Sequence, residues 1–461
     1  MKFSEFLDSL QLQSNSLQEL QEEPLASTST DDLYAILDTG GRPALLKRFK
    51  ELGVTKLGHR QTLANGLGRL RREGSLTRSP AHKMASQSSA GAATATSAIT
   101  DTSVTPAEPP PPAQPSPTPQ PPSIDERVMR HLRDRSPVAA LRLVLAASDD
   151  PFVWMLRARV HTQMGSFCEA VLAYSRAASG KDCDDALAEL KQLGELVRWL
   201  DSPERLYGAF FPKQTPRGLP APSGSIVTDG SYEGAPIKSS LLAVDPSAAR
   251  VQIGYRVWCP EKPNPSRPIK GVLLYAHGNG EVAPNYDPFA QLFHLLGFVL
   301  IVVEFRGYGW STATPARHST IYDDAEPLSR GGAYDEARRS AGIDPSLPTV
   351  LFGRSMGSRV AVHLAAICTG TVFAGLIVES GISSLRPGRP GSADAPADMP
   401  TVGSAKVELA SNSDKIKGVI MPTLILHGED DSVVPAHHAR ANYEACGARR
   451  KRLMLLPGRG H

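Results

Sequence analysis

Apolar residues follow two different rhythms along this chain, and the change comes near residue 204. Before it, large apolar residues recur at spacings of three and four, the interval that lines one face of a helix. After it they gather in short unbroken runs: Gly271 to Ala276, Phe298 to Val303, Val350 to Phe352, Gly375 to Val378, Thr423 to Leu426 and Arg452 to Leu456. Runs that are continuous rather than alternating are those of strands covered by helices on both faces. Helical segments such as Ser358 to Ile367 lie between them, and Ser239 to Val244 with Val251 to Trp258 suggests an antiparallel pair leading in. The pattern predicts an α/β fold over residues 204–461, a mostly parallel sheet flanked by helices. Two small all-helical regions and a disordered linker are predicted to precede it.

The first helical region is 1–78, where Leu45 to Val54 reads as a helix closed by Gly53 and a second helix runs from Gly58 to Glu73 on Leu63, Leu67 and Leu70. Residues 79–123 are Ser, Ala, Thr and Pro, with Pro109 to Pro112 barring helix and sheet alike. Such a stretch cannot bury enough surface to offset its ordering entropy, so it is expected to be a disordered tether. Residues 124–203 form the second helical region, with helices at 137–147 and 184–200 around a hairpin.

Charge narrows the partners. Fifty Lys and Arg against 47 Asp and Glu leave a net +3, too balanced to make nucleic acid or an acidic membrane the main partner. Arg60, Arg69, Arg71 and Arg72 fall largely outside the leucine stripe and read as a solvated face rather than an RNA site. Five scattered cysteines without a CxxC suggest reduced thiols and a cytoplasmic compartment. The start, Met1 to Asp8, lacks a signal-peptide core, and the longest apolar run, Phe298 to Val303, is far short of the ~20 residues of a membrane helix.

Chemistry in a parallel sheet gathers where strands end. Gly353-Arg354-Ser355-Met356-Gly357 stands between an apolar run and an amphipathic one, the context of a strained nucleophile turn that presents Ser355. His277-Gly278-Asn279-Gly280 follows an earlier strand, and its glycines let backbone amides turn toward Ser355. The amides of Asn279 and Met356 are the expected oxyanion hole, with Gly278 and Gly280 lining the site and His277 bracing the loop. Asp431, in His427-Gly428-Glu429-Asp430-Asp431, is the expected acid, ahead of Asp430 and the more distant Glu379. His461 supplies the base, giving the order Ser355, Asp431, His461. His427, Asp430, Asp431, His437 and His438 make a loop cluster without a converging ligand set, so neither metal nor cofactor is expected.

These motifs, with Glu304-Phe305-Arg306-Gly307-Tyr308-Gly309-Trp310-Ser311 and Val434-Pro435, make residues 240–461 resemble the α/β-hydrolase superfamily, in the group of serine aminopeptidases, monoacylglycerol lipases and depalmitoylating enzymes. The resemblance implies that Arg306 to Gly309 cap a strand at the site entrance, where Tyr308 and Trp310 either line the mouth or pack against the sheet. Glu304 stands where relatives usually carry Asp. Relatives continue past the histidine into a last helix, whereas this chain stops at His461, which suggests a fragment or a base held on a chain end. Ser384 to Ser404, rich in Pro and Gly, is expected to be a mobile loop over an open site rather than a helical lid.

Two further resemblances concern the helical regions. Leu52 to Leu63 is similar to the end of a sterile alpha motif domain. Trp154, Ala158, His161, Gly165, Ala170, Tyr174 and Ala177 fall at tetratricopeptide positions. The expected function is hydrolysis of an ester, thioester or small amide on a small-molecule or acylated substrate. A depalmitoylating thioesterase is the first alternative. A non-catalytic scaffold that binds a protein through its helical regions is the second.

Overall fold

A computed structural model describes residues 122–180, 183–206, 209–235, 250–262, 264–330, 332–368, 372–384, 399–403, 405–406 and 409–461, together with 32–33, 35–36, 45 and 47–52. The chain divides into two compact units, Met1–Gln114 and Pro115–His461. In the first, residues 45 and 47–51 are helical and bury Leu45 and Phe49, and Leu33 is also buried. The second predicted helix at 58–73, the sterile-alpha-motif-like stretch and the linker to residue 121 lie outside the described residues.

The described part of the second unit begins with helices α1 (Ile124–Arg133), α2 (Pro137–Leu145), α3 (Pro151–Met164), α4 (Phe167–Ala177) and α5 (Cys183–Leu200), with a single short turn at Pro203–Leu206 after them. Local chemistry sets their ends. A capping box between Ser123 and Glu126 starts α1, and Asp150 with Pro151 starts α3. Gly165 closes α3 in the left-handed region at φ 78°, which costs a side chain about 1 kcal/mol. A Cβ there would also stand 2.9 Å from the Tyr322 ring, so the α3–α4 turn needs glycine twice over. Ala158, Ala170 and Ala177 are buried in this hairpin, and the Tyr174 hydroxyl donates to Glu189 Oε2 on α5 at 3.0 Å.

Eight strands then form one sheet: β1 (Ser225–Glu233), β2 (Gln252–Pro260), β3 (Gly271–Ala276), β4 (Phe298–Val303), β5 (Thr349–Arg354), β6 (Gly375–Glu379), β7 (Thr423–Gly428) and β8 (Lys451–Leu456). Their order is β1-β2-β4-β3-β5-β6-β7-β8, with β2 antiparallel to both neighbours and every other pairing from β4 to β8 parallel. The expected partner of β2 at Ser239 to Val244 lies outside the described residues; the strand that pairs with it is β1, Ser225 to Glu233. β1 went unrecognised because its sequence, Ser-Ile-Val-Thr-Asp-Gly-Ser-Tyr-Glu, is polar, as an edge strand's is.

Burial explains the continuous apolar runs. Val272, Leu274 and Ala276 of β3 face one core, whereas Leu273 and Tyr275 face the other. Helices cover both faces: α6 (Ala290–Leu295) lies over Leu300 and Val302, while α7 (Ala333–Ser340), α8 (Gly357–Ile367) and α9 (His437–Ala445) join the opposite core. Each leucine so enclosed contributes about 1.5–3 kcal/mol.

The helical region is docked on that second face. Val138, Leu141 and Leu156 enter the same core as α8. Arg135 grips Asp414 with two hydrogen bonds at 3.0 and 2.6 Å, and Arg142 donates to the Gly418 carbonyl at 2.9 Å. Met399 and Val402, which lie between β6 and β7, pack in the apolar cluster of α4 and α5. Residues 385–398 and 404, most of the expected mobile loop, lie outside the described residues.

Candidate active site

Ser355 sits between β5 and α8 with φ 51°, a left-handed conformation that a non-glycine residue adopts only at a cost. Its amide donates to the Glu379 carbonyl at 2.8 Å, tying the turn to the end of β6. The flanking glycines are sterically required. A Cβ on Gly357 would stand 2.0 Å from the Ala276 carbonyl oxygen, and one on Gly353 would stand 2.6 Å from that of Gly357. Helix and strand approach too closely for any side chain.

His461 faces this serine. Its Nε2 lies 2.9 Å from Ser355 Oγ and its Nδ1 2.8 Å from Asp431 Oδ2. The loop after β8 is clipped to the loop after β7, because the Asp430 amide donates to the Arg459 carbonyl at 3.0 Å. Asp431 Oδ1 in turn accepts the amides of Val433 and Val434 at 2.9 and 2.8 Å. Burial alone would raise the Asp431 carboxyl, but the Val434 amide and the His461 imidazole outweigh it and hold the group below the usual carboxylate range. Asp431 is thus an anion aimed at Nδ1, which fixes the imidazole tautomer that leaves Nε2 free to accept a proton from Ser355.

The alternatives for the acid stand elsewhere. The Asp430 side chain is exposed, and Glu379 lies 3.6 Å from the Arg354 guanidinium. The other histidines of the loop are engaged too. His427 Nε2 donates to the Val434 carbonyl at 2.7 Å, and His438 Nδ1 accepts from Ser383 Oγ at 2.8 Å.

Around Asn279 the loop is held from several sides. Buried His277 spends both ring nitrogens, Nδ1 on the Gly278 carbonyl at 2.8 Å and Nε2 on Glu304 at 2.9 Å. The Gly278 amide is taken by Glu281 at 2.7 Å. Among the described residues, the amides of Asn279 and Met356 donate to no other group. Gly280 follows in the left-handed region at φ 83°. Tyr308 is fully buried and donates to Asn279 Oδ1 at 2.6 Å, so it supports the loop from beneath.

Of the two places expected for Trp310, it takes the one against the sheet. Its indole N–H donates to the Gly230 carbonyl of β1 at 2.9 Å and its ring covers Gly254 of β2. Gly254, on the strand next to the edge, leaves a flat surface on which the indole packs.

The residue patterns did not single out a charged ring around the elbow. Arg354 pairs with Glu281, lies 3.6 Å from Glu379 and donates to the His461 carbonyl at 3.3 Å. It links the Asn279 loop, β6 and the His461 loop. Its position beside Ser355 was the available signal, but the partners are far off in sequence.

Residues 267–396 match the family model described as serine aminopeptidase, S33. The fold is that of an α/β hydrolase. The chain is 28% identical over 198 residues to "Protein bem46" of Schizosaccharomyces pombe, covering 42% of the chain and 60% of that protein. It is 29% identical over 189 residues to "Lysophosphatidylserine lipase ABHD12" of Xenopus tropicalis, covering 37% and 46%. The chain spans about half the length of the curated relatives it matches. Among solved structures it is similar to the Pyrococcus furiosus esterase Pf2001, at 15% identity and a TM-score of 0.38 over 54% of the chain and 90% of that one. No helix among the described residues is long and apolar enough to cross a membrane.

Proposed function

We propose that this protein is a serine hydrolase of esters, thioesters or small amides. Ser355 Oγ attacks the substrate carbonyl carbon as its proton passes to His461 Nε2, and Asp431 stabilises the imidazolium that forms. The Asn279 and Met356 amides receive the oxyanion of the tetrahedral intermediate. That intermediate collapses as His461 returns the proton to the leaving group, which departs and leaves an acyl-enzyme. Water, deprotonated by His461, then attacks the acyl carbon, and Ser355 leaves with its proton restored. Side chains, amides and water suffice for these steps.

The observation that carries the reading is the unbroken relay of 2.9 and 2.8 Å from Ser355 through His461 to Asp431, beneath a serine at positive φ. Likeness to lysophosphatidylserine lipases makes a lysophospholipid ester the first substrate class to try. The tetratricopeptide-like hairpin α3–α4 serves as a scaffold element in this reading, open to a protein partner on its outer face. The test is turnover of lysophospholipids and of p-nitrophenyl esters of graded length. Hydrolysis by the wild type that Ser355→Ala abolishes supports the reading; equal rates in both defeat it.

A further inference from the structure

The chain segment that leaves the helical region does not run straight to β1. It crosses the loop after β3, and the Asn279 side chain is where it is fastened. Asn279 Nδ2 donates to the Ala209 carbonyl at 3.0 Å, and Oδ1 accepts both the Phe211 amide at 2.9 Å and the Tyr308 hydroxyl at 2.6 Å. Three of the carboxamide's four hydrogen-bonding positions are therefore filled, and its plane is fixed. The Tyr308 hydroxyl also receives the Phe211 amide at 2.9 Å, which closes a small ring of bonds.

The crossing segment is itself immobilised. The Thr215 amide donates to the Gly309 carbonyl and the Gly309 amide to the Lys213 carbonyl, both at 2.9 Å, and Gln214 Nε2 reaches the Gly307 carbonyl at 2.7 Å. Upstream, Asp201 at the end of α5 accepts hydrogen bonds from the amide and hydroxyl of Ser319 at 3.2 and 2.5 Å. From there the Leu206 amide donates to the Ser202 carbonyl and the Ala209 amide to the Leu206 carbonyl, both at 3.0 Å, which ties the exit of α5 to the segment that reaches Asn279.

We propose that the Asn279 carboxamide is a positioning residue, through which the segment Ala209–Phe211 at the exit of the helical region sets the direction of the Asn279 amide in the oxyanion hole. This rests on the acyl-transfer reading above. A backbone amide stabilises an oxyanion only if it is aimed beforehand. His277 and the Glu281 amide hold the Gly278 carbonyl of that peptide unit, which leaves its Asn279 end to be constrained from the other side. The carboxamide supplies that constraint from outside the hydrolase sheet. The helical region is then part of the working site rather than a spacer before it.

The test uses the full chain and three proteins: wild type, Asn279→Ala and Tyr308→Phe. Wild-type labelling of Ser355 by a fluorophosphonate is read first, since its absence would defeat the acyl-transfer reading and not this one in particular. Given labelling, Asn279→Ala is expected to lower kcat and the labelling rate together by about ten- to a hundredfold, as a misaimed donor does. KM should stay within about twofold, because ground-state binding does not use the hole. Tyr308→Phe keeps the Ala209 and Phe211 contacts and is expected to lose a smaller factor, about three- to tenfold. A kcat within twofold of wild type in folded Asn279→Ala overturns the proposal. If that variant does not fold, Tyr308→Phe with unchanged kcat overturns it instead. A rise in KM with unchanged kcat also overturns it, since that places the side chain in substrate binding.

Discussion

Asp431 Oδ2 stands 2.8 Å from His461 Nδ1 while its other oxygen accepts two backbone amides. The carboxylate is held by its own loop before it holds the imidazole. The carboxyl is also kept below its ordinary range, so it remains charged at any pH where a neutral imidazole can act as base. Asp431→Asn keeps the shape and removes the charge. The expected result is a fall in kcat of roughly 10³–10⁴-fold with little change in melting temperature, measured by ester hydrolysis and thermal unfolding.

Gly357 and Gly194 separate steric need from helix propensity. Gly357→Ala would place Cβ against the Ala276 carbonyl, a backbone atom that cannot swing aside. The expected cost is about 3 kcal/mol. Gly194 lies within α5 with nothing within 4 Å of an added Cβ, so Gly194→Ala should stabilise by about 0.5–1 kcal/mol. Urea unfolding of both variants measures the contrast.

The motif residues that come together at Ser355 were legible because each follows a strand, and a largely apolar run announces such a strand even at the half-exposed edge position of β8. Ser355, Asp431 and His461 could be put in order from that alone, and their side chains meet. What escaped was pairing without periodicity. Arg135 and Asp414 are 279 residues apart, and Asn279 and Ala209 are 70 apart. Nothing local in either segment marks the other. Trp310 could be read only as far as two places for a related reason: an aromatic after a strand reads the same whether it faces a substrate or packs on a glycine of the sheet.

The docking of the helical region makes its own prediction. Arg135→Ala leaves Asp414 buried without its bidentate partner, and the expected loss is about 3 kcal/mol in urea unfolding at neutral pH. Burial pushes the Asp414 carboxyl up, but Arg135 and Ser411 override it and lower the folded-state value below the ordinary one. The pair's contribution is therefore complete above the ordinary aspartate range and is lost as pH falls through the lowered value. The gap between wild type and variant should narrow with acid; a gap that widens would contradict the pairing.

The most direct measurement of the central claim is intact-mass analysis after treatment with a fluorophosphonate. The wild type should gain a single adduct, mapped by peptide sequencing to Ser355, and Ser355→Ala and His461→Ala should gain none on the same timescale. A folded wild type that stays unlabelled, or a Ser355→Ala variant that labels as fast, would contradict the account.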